Sequence, residues 1–257
     1  MNVRNEITPL SVVIITYNEE RCIAACLASV AWADEIVVVD SGSTDRTPEI
    51  CRAIPQVHFF EQDWLGYGPQ KNYATSLASH PWILSLDADE TVTTELKDEI
   101  RDLLQTGSVP HAGYQIHRKN LYRGRWIRHS GWWPDRIVRL FRHNTGRFND
   151  RMVHESVEVV GSVGQLQGAI EHHSFHGPED FLEKARRYAV PGAQQMQDAG
   201  RYGNALTAVI RGFAAFVKSY VLKRGFLDGR DGLLIAVSSA VGVFYRIIKL
   251  AELNEER

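Results

Sequence analysis

Cysteine is scarce in this chain: three in 257 residues, at Cys22, Cys26 and Cys51. An odd, unevenly spaced set makes neither a secreted disulfide framework nor a zinc site, and it points to a reduced compartment, the cytosol. Cys22 and Cys26 lie one helical turn apart, the spacing of core residues. Long apolar runs are scarce too. MNVRNEITPLSVVIITYNEE reaches Asn18 and Glu19 too soon for a signal peptide. The uncharged stretch Gly232 to Tyr245 has 14 residues, short of the roughly 20 that span a bilayer. No GxGxxG follows the first strand-like run, which argues against a dehydrogenase. TYNEER, acidic and without glycine, stands where a nucleotidyltransferase would carry a basic, glycine-rich loop. No helix-turn-helix, zinc-finger or RNA-binding signature is present, so nucleic acid is not an expected partner. There is no internal repeat and no low-complexity tract.

What is present is a globular composition, 44% hydrophobic, with a formal net charge of only −2. That suffices for one large domain or one domain with an appendage. The charge is unevenly placed. From His117 to Arg151 ten Lys or Arg residues face only Asp135 and Asp150, and from Arg201 to Lys249 eight face only Asp228 and Asp231. Both stretches should attract anions, either phosphate-bearing small molecules or a membrane surface.

Strand-like and helical runs alternate over the first hundred residues. SVVIITY, EIVVVD, VHFFEQ and PWILSLD read as strands, and EERCIAACLASVAW and KNYATSLAS as helices between them, the βαβ pattern of a parallel sheet. Thr47 before Pro48 and Glu49 is expected to cap a helix. From Gly113 onward the chain reads as strands and loops rich in Arg and Trp, then as the helix EDFLEKARRYAVPGAQQMQ, then as two helices separated by GFLDGRDG. Arg211, Lys218, Lys223, Arg224, Arg246 and Lys249 surround the apolar parts of those last helices. They fit an interfacial position against anionic lipid, the alternative being a helical hairpin packed on the rest of the protein or on another subunit.

In ILSLDADE a buried run ends in Asp87, Asp89 and Glu90. Carboxylates this close repel unless a cation sits among them. Asp87 and Asp89 are hard oxygen donors suited to Mg²⁺ or Mn²⁺, with coordination positions left for phosphate oxygens and water. A divalent ion would stabilise a diphosphate leaving group. In open parallel sheets ligands bind beyond the carboxyl ends of the strands, where Tyr17-Asn18-Glu19, Asp40 and Asp87-Ala88-Asp89 all fall.

VVIITYNEE, VVVDSGSTDRT, GPQKNYA and LSLDADE, in this order, resemble the nucleotide-sugar-binding half of the inverting family-two glycosyltransferases of GT-A fold, over residues 11 to about 105. GYQIHRKN, GWWPDRIVRLFR, RFNDRMVHESV and LKRGFLDGRDG are similar to a narrower group, the lipopolysaccharide core-biosynthesis enzymes that add β-1,4-linked glucose to inner-core heptose. The resemblance implies an α/β, Rossmann-like mixed sheet, to which the pattern of residues adds a C-terminal helical extension expected at a membrane surface. It divides the chain into a nucleotide-sugar-binding half (1–110), an acceptor-binding half (111–200) and a helical region (201–257). It also implies roles. Thr16, Tyr17 and Glu19 would line the base pocket, with Asp40 on the base or ribose and Asp45 flanking it. Lys71 would neutralise the diphosphate, Asp87 would approach the ribose, and Asp89 would hold the metal together with Asp87 and His172. Tyr17 could instead be packing, Asp45 a turn or cap residue, Lys71 an exposed lysine at a helix start, and His172 a structural hydrogen-bonding residue.

Inversion needs a base for the acceptor hydroxyl. The family's usual Glu-Asp pair is matched by His154-Glu155, which makes Glu155 the expected base and His154 a candidate for acceptor phosphate. Asp135 in GWWPDR is the rival, since an apolar neighbourhood beside Trp132 and Trp133 would suit it to proton transfer. Trp132 and Trp133 would stack on sugar faces or pack in the core, and Arg136 would meet the acceptor. The implied protein transfers a sugar, best matched by glucose from UDP-glucose, to inner-core heptose of lipopolysaccharide. It would work in the cytoplasm, peripheral on the inner face of the inner membrane. The competing readings are a noncatalytic nucleotide-sugar-binding protein at that surface, and a GT-A transferase acting on another glycolipid or polysaccharide.

Overall fold

The computed structural model describes residues 8–105, 109–150 and 155–255. The first part alternates as expected: β1 (Leu10–Thr16), α1 (Ile23–Ser29), β2 (Glu35–Asp40), α2 (Thr47–Arg52), β3 (Val57–Glu61), α3 (Tyr67–Ser76) and β4 (Trp82–Asp87). The four strands are parallel in the order β3-β2-β1-β4. Continuous β-branched strands form here because both faces are covered, and every residue of β1 except Ile15 is fully buried. Each such Val, Ile or Leu contributes roughly 1.5–3 kcal/mol, largely offset by chain entropy.

β5 (Glu90–Val92) and α4 (Thr94–Gln105) follow; α4 buries Leu96, Ile100 and Leu104 at four-residue spacing. Then come β6 (Gly113–Tyr122), β7 (Arg125–Trp126), β8 (Arg136–Arg142), β9 (Gly146–Phe148), β10 (Val157–Val159) and β11 (Val163–Phe175). β8 adds antiparallel to β4, and the order continues β8-β6-β11-β5, giving a mixed sheet. The register pairs Thr16 with Asp40, Ile15 with Asp87 and Asp40 with Glu61, so the polar strand ends share one edge.

Two compact units result. One holds the chain up to Arg118 together with Asp135–His172, and the other holds Lys119–Pro134 together with the chain from His173. The second unit contains α5 (Pro178–Asp198), α6 (Ala205–Val217), a π-helical turn (Lys218–Leu222), a 3₁₀ turn (Gly225–Asp228) and α7 (Arg230–Glu255). The break between the last two helices is shorter than GFLDGRDG implies, because Arg230 and Asp231 open α7. Asn204 caps α6 by accepting from the Thr207 N–H at 2.8 Å. α7 packs against both α5 and α6. A side chain at Gly212 of α6 would lie 3.2 Å from the carbonyl of Ala240 in α7, a close helix approach that glycine permits. By length and composition both Ala205–Leu222 and Arg230–Glu255 could cross a membrane, which corrects the impression left by the 14-residue uncharged stretch.

Candidate active site

The site is built within the first unit, from its loops outward. After β1 the chain turns at Asn18, whose φ of 54° lies in the left-handed region. The Asn18 side chain accepts from the Thr44 N–H, and its own N–H donates to Ser43 Oγ, both at 2.8 Å. Asp40 is buried and accepts from the N–H groups of Gly42 and Ser43 at 2.9 and 2.7 Å, folding the DSGS loop back on the strand end. Asp45 accepts from the Glu20 N–H at 3.0 Å and the Thr47 N–H at 2.9 Å. Burial would raise its carboxyl, but the hydrogen bonds from Thr47 and Glu20 together outweigh that and lower it from the ordinary value. Asp45 therefore fastens the turn ahead of α2, whose N-cap residue is Arg46, whereas Thr47, expected as the cap, is buried in the first turn and accepts from the Glu19 N–H at 2.8 Å. Tyr17 stands exposed, while Thr16 is buried, and its hydroxyl has no partner among the described residues.

Three consecutive residues of α3 tie the site together. Buried Gln70 donates to Ser41 Oγ at 3.1 Å, and Asn72 exchanges two 2.9 Å hydrogen bonds with the Phe148 backbone. Between them Lys71, expected to neutralise the diphosphate or else to be an exposed lysine at a helix start, is buried, which removes the second of these readings. Its ammonium lies 2.7 Å from Asp87 Oδ1 and 2.7 Å from Glu155 Oε1. Gly68 makes this approach possible, since a Cβ there would fall 2.1 Å from the Asn149 carbonyl.

The acid cluster at the end of β4 is answered largely by the protein's own cations. Arg139 of β8, itself buried, donates to Asp87 Oδ2 at 2.6 Å and to Glu90 Oε1 at 2.8 Å. Glu90 is completely buried; its other oxygen accepts from the Asp87 N–H at 3.0 Å, and Arg118 approaches at 3.4 Å. Burial alone would raise the Asp87 carboxyl, but the Arg139 and Lys71 charges hold it well below the usual carboxylate range. Both Asp87 oxygens thus face cations. Asp89 is the acid turned elsewhere: its Oδ2 lies 3.3 Å from His172 Nε2, brought there by antiparallel pairing of β11 with β5. Among the described residues no three His, Cys, Asp or Glu side chains converge to enclose an ion. Asp89 and His172 together fit a divalent ion held partly by the protein, with an oxygen and an imidazole donor that suit Mn²⁺ and, less well, Mg²⁺.

Asp135 does not lie in the apolar neighbourhood expected of it, because Arg118 Nε donates to its Oδ2 at 2.9 Å. Arg136 is exposed at the start of β8. In the second unit Trp132 packs with Phe175 and Phe181, ring centroids 5.2 and 6.2 Å away, which places it in a small aromatic core. Trp133 meets Trp126 edge-on at 4.9 Å. His154 lies outside the described residues. Sequence reasoning missed Arg139, Arg118 and Gln70. The two arginines had been counted with a basic stretch that faces anions in solution, yet they neutralise acids of the same unit. The three cysteines are free and buried, and burial pushes Cys22 up to about 11.

The mixed sheet, with helices on its parallel half and acids at the strand tips, is a GT-A-like fold. The chain belongs to the glycosyl transferase family 2, whose model matches residues 11–171, and it is a glycosyltransferase. A Rickettsia typhi protein named as an uncharacterized glycosyltransferase is 30% identical over 256 residues, covering 95% of this chain and 87% of the relative. The lipopolysaccharide core biosynthesis glycosyltransferase LpsC of Rhizobium meliloti is 28% identical, covering 94% and 92%. Among solved structures, residues 1–349 of S. aureus TarS in complex with UDP-GlcNAc match with a TM-score of 0.51 at 18% identity, over 97% of this chain and 92% of that one.

Proposed function

We propose that this glycosyltransferase moves a sugar, best matched by glucose from UDP-glucose, onto inner-core heptose of lipopolysaccharide with inversion at the anomeric carbon, at the cytoplasmic face of the inner membrane. The acceptor class is supported by likeness to LpsC, a protein named for lipopolysaccharide core biosynthesis. The observation that carries the chemistry is the charge balance at the sheet edge. Among the described residues, Lys71, Arg118 and Arg139 are shared by four carboxylates, Asp87, Glu90, Asp135 and Glu155, and a fifth, Asp89, stands beside His172. Such an edge would repel a diphosphate unless a divalent cation entered with it. Mg²⁺ or Mn²⁺ on Asp89 and His172 would supply that charge and stabilise the leaving diphosphate.

The chain's own groups have separable tasks in this reading. Glu155 takes the proton from the acceptor hydroxyl as its oxygen attacks the anomeric carbon. The bond to the diphosphate breaks on the opposite face, and the proton remains on the carboxylate until water removes it. Lys71 holds Glu155 in place and presents positive charge beside the strand ends. Asp40, Asp45, Thr16, Tyr17 and Glu19 form the rim for the nucleoside.

The test is a panel of nucleotide sugars with Mn²⁺ and a truncated heptose-containing acceptor, followed by linkage analysis of the product. Glu155→Gln should leave donor affinity nearly intact while turnover falls by about 10²-fold or more. Unchanged turnover would transfer the base role to Asp135. Release of no nucleoside diphosphate from any donor would reject the reading.

A further inference from the structure

α6 carries its apolar residues on the wrong side for a helix of a water-soluble bundle. Leu206, Val209, Ile210 and Phe213 follow the i, i+3, i+4, i+7 spacing of a single helix face, and they are 68%, 57%, 57% and 69% exposed. The face turned inward carries small residues, buried Ala208 and Gly212, with Gly212 set closely against α7. Burying small residues and exposing large ones reverses the usual pattern, and it is the arrangement of helices whose outer face meets lipid. Large apolar residues are exposed past the helix end as well, at Leu222 and Phe226.

The charges around this stripe have one sign. Between Asp198 and Asp228 the chain has no acid, but it has Arg201, Arg211, Lys218, Lys223 and Arg224, all of them exposed. Among the described residues none of these five forms an ion pair within the protein. A second protein copy bearing the same basic rim would be repelled, whereas an anionic surface would be attracted. A transverse position is opposed by Arg211 within the helix and by α5, which packs on α7 and carries Glu179, Asp180, Glu183 and Arg187.

We infer that α6 and the turn following it lie in the headgroup plane of a bilayer rich in anionic phospholipid, with the stripe Leu206 to Phe213 in the acyl boundary and the surrounding arginines and lysines on lipid phosphates. This deepens the reading of a glycolipid acceptor by naming the surface that would bring the enzyme to it, but its test needs neither donor nor acceptor.

The full chain is sedimented with vesicles of phosphatidylcholine alone and of phosphatidylcholine mixed equally with phosphatidylglycerol. It should bind the anionic vesicles, much less the neutral ones, and be released by high salt. The double variant Ile210→Asp/Phe213→Asp should bind about tenfold less or weaker, and Lys223→Glu/Arg224→Glu about tenfold less at low salt. Both should melt as the parent does, because the replaced side chains are exposed. Equal binding by parent and variants, or no binding by the parent, would overturn the proposal. So would a stable dimer that the double variant dissociates without any vesicle binding, or retention in cell membranes after alkaline carbonate washing. Vesicle binding without sugar transfer would leave this proposal standing and reject the transfer reading alone.

Discussion

The two units of this chain depart from ordinary globular chemistry in opposite directions. The sheet unit buries charge: Glu90, Arg139 and Lys71 are all enclosed, each against opposite charge. The helical unit leaves hydrocarbon in water, with Phe213 and Leu206 outermost on α6. Buried ion pairs add little net stability, but they impose geometry, because every partner must sit where its neighbour needs it. Exposed apolar stripes add no stability and mark a surface meant for something else. The first unit thus has the paired, buried charges on which the proposed site rests, and the second has the stripe on which the proposed membrane attachment rests.

The comparison is broken most severely at Asp89, the acid of the DADE turn that stands beside His172. Asp89→Ala should abolish turnover and, by calorimetry, metal-dependent donor binding, while the fold persists. Retained activity at ordinary metal concentration would refute the metal assignment.

The next effect separates the units by stability. Arg139→Met leaves half-buried Asp87 beside buried Glu90 with one cation removed, and it should cost about 3–5 kcal/mol in urea unfolding. Arg211→Met on the exposed face of α6 should change stability by no more than about 0.5 kcal/mol. Similar losses at the two arginines would erase the distinction between a buried network and a solvated surface.

Acid should act through the same network. The Asp87 carboxyl is depressed in the folded state by Arg139 and Lys71. The unfolded chain therefore binds its proton more readily as pH falls. The stabilisation is complete above the unfolded value of about 3.9 and is lost as pH drops below that value toward the folded one. Urea midpoints should be level near neutrality and decline below about pH 5, and Arg139→Met should flatten the decline. A parent midpoint unchanged down to about pH 3 would contradict the assignment.

How far the sequence disclosed all this depends on whether the controlling partner is local. β1 to β4 and the helices between them were legible because continuous β-branched runs and helical spacing are properties of adjacent residues. The acids of ILSLDADE were legible as a cluster needing positive charge, since repulsion is local too. That the charge for Asp87 and Glu90 comes from Arg139 and Lys71 was not legible, because those residues lie 52 and 16 positions from Asp87 and meet it only through the β4–β8 pairing and the α3 crossover. His172 was named from family likeness, and its pairing with Asp89 depends on β11 lying beside β5. Thr47 was read as a cap from its neighbour Pro48, but Arg46 stands at the N-cap, and Asp45 fastens the turn before it by a hydrogen bond that composition does not reveal.

Asp45 also provides the smallest and most discriminating test. Family likeness puts it beside the nucleoside, whereas its hydrogen bonds to the N–H groups of Thr47 and Glu20 make it a loop fastener. Asp45→Ala removes those acceptors and should cost about 1 kcal/mol, as cap deletions do, whichever role is correct. Asp45→Asn keeps one acceptor oxygen and the turn, while it discards the charge. If the side chain only fastens the loop, Asn should restore both the melting temperature and kcat/KM. If its charge meets the donor, stability should return while kcat/KM stays low. The rim of the sheet unit would then be charged for its ligand as well as for its fold.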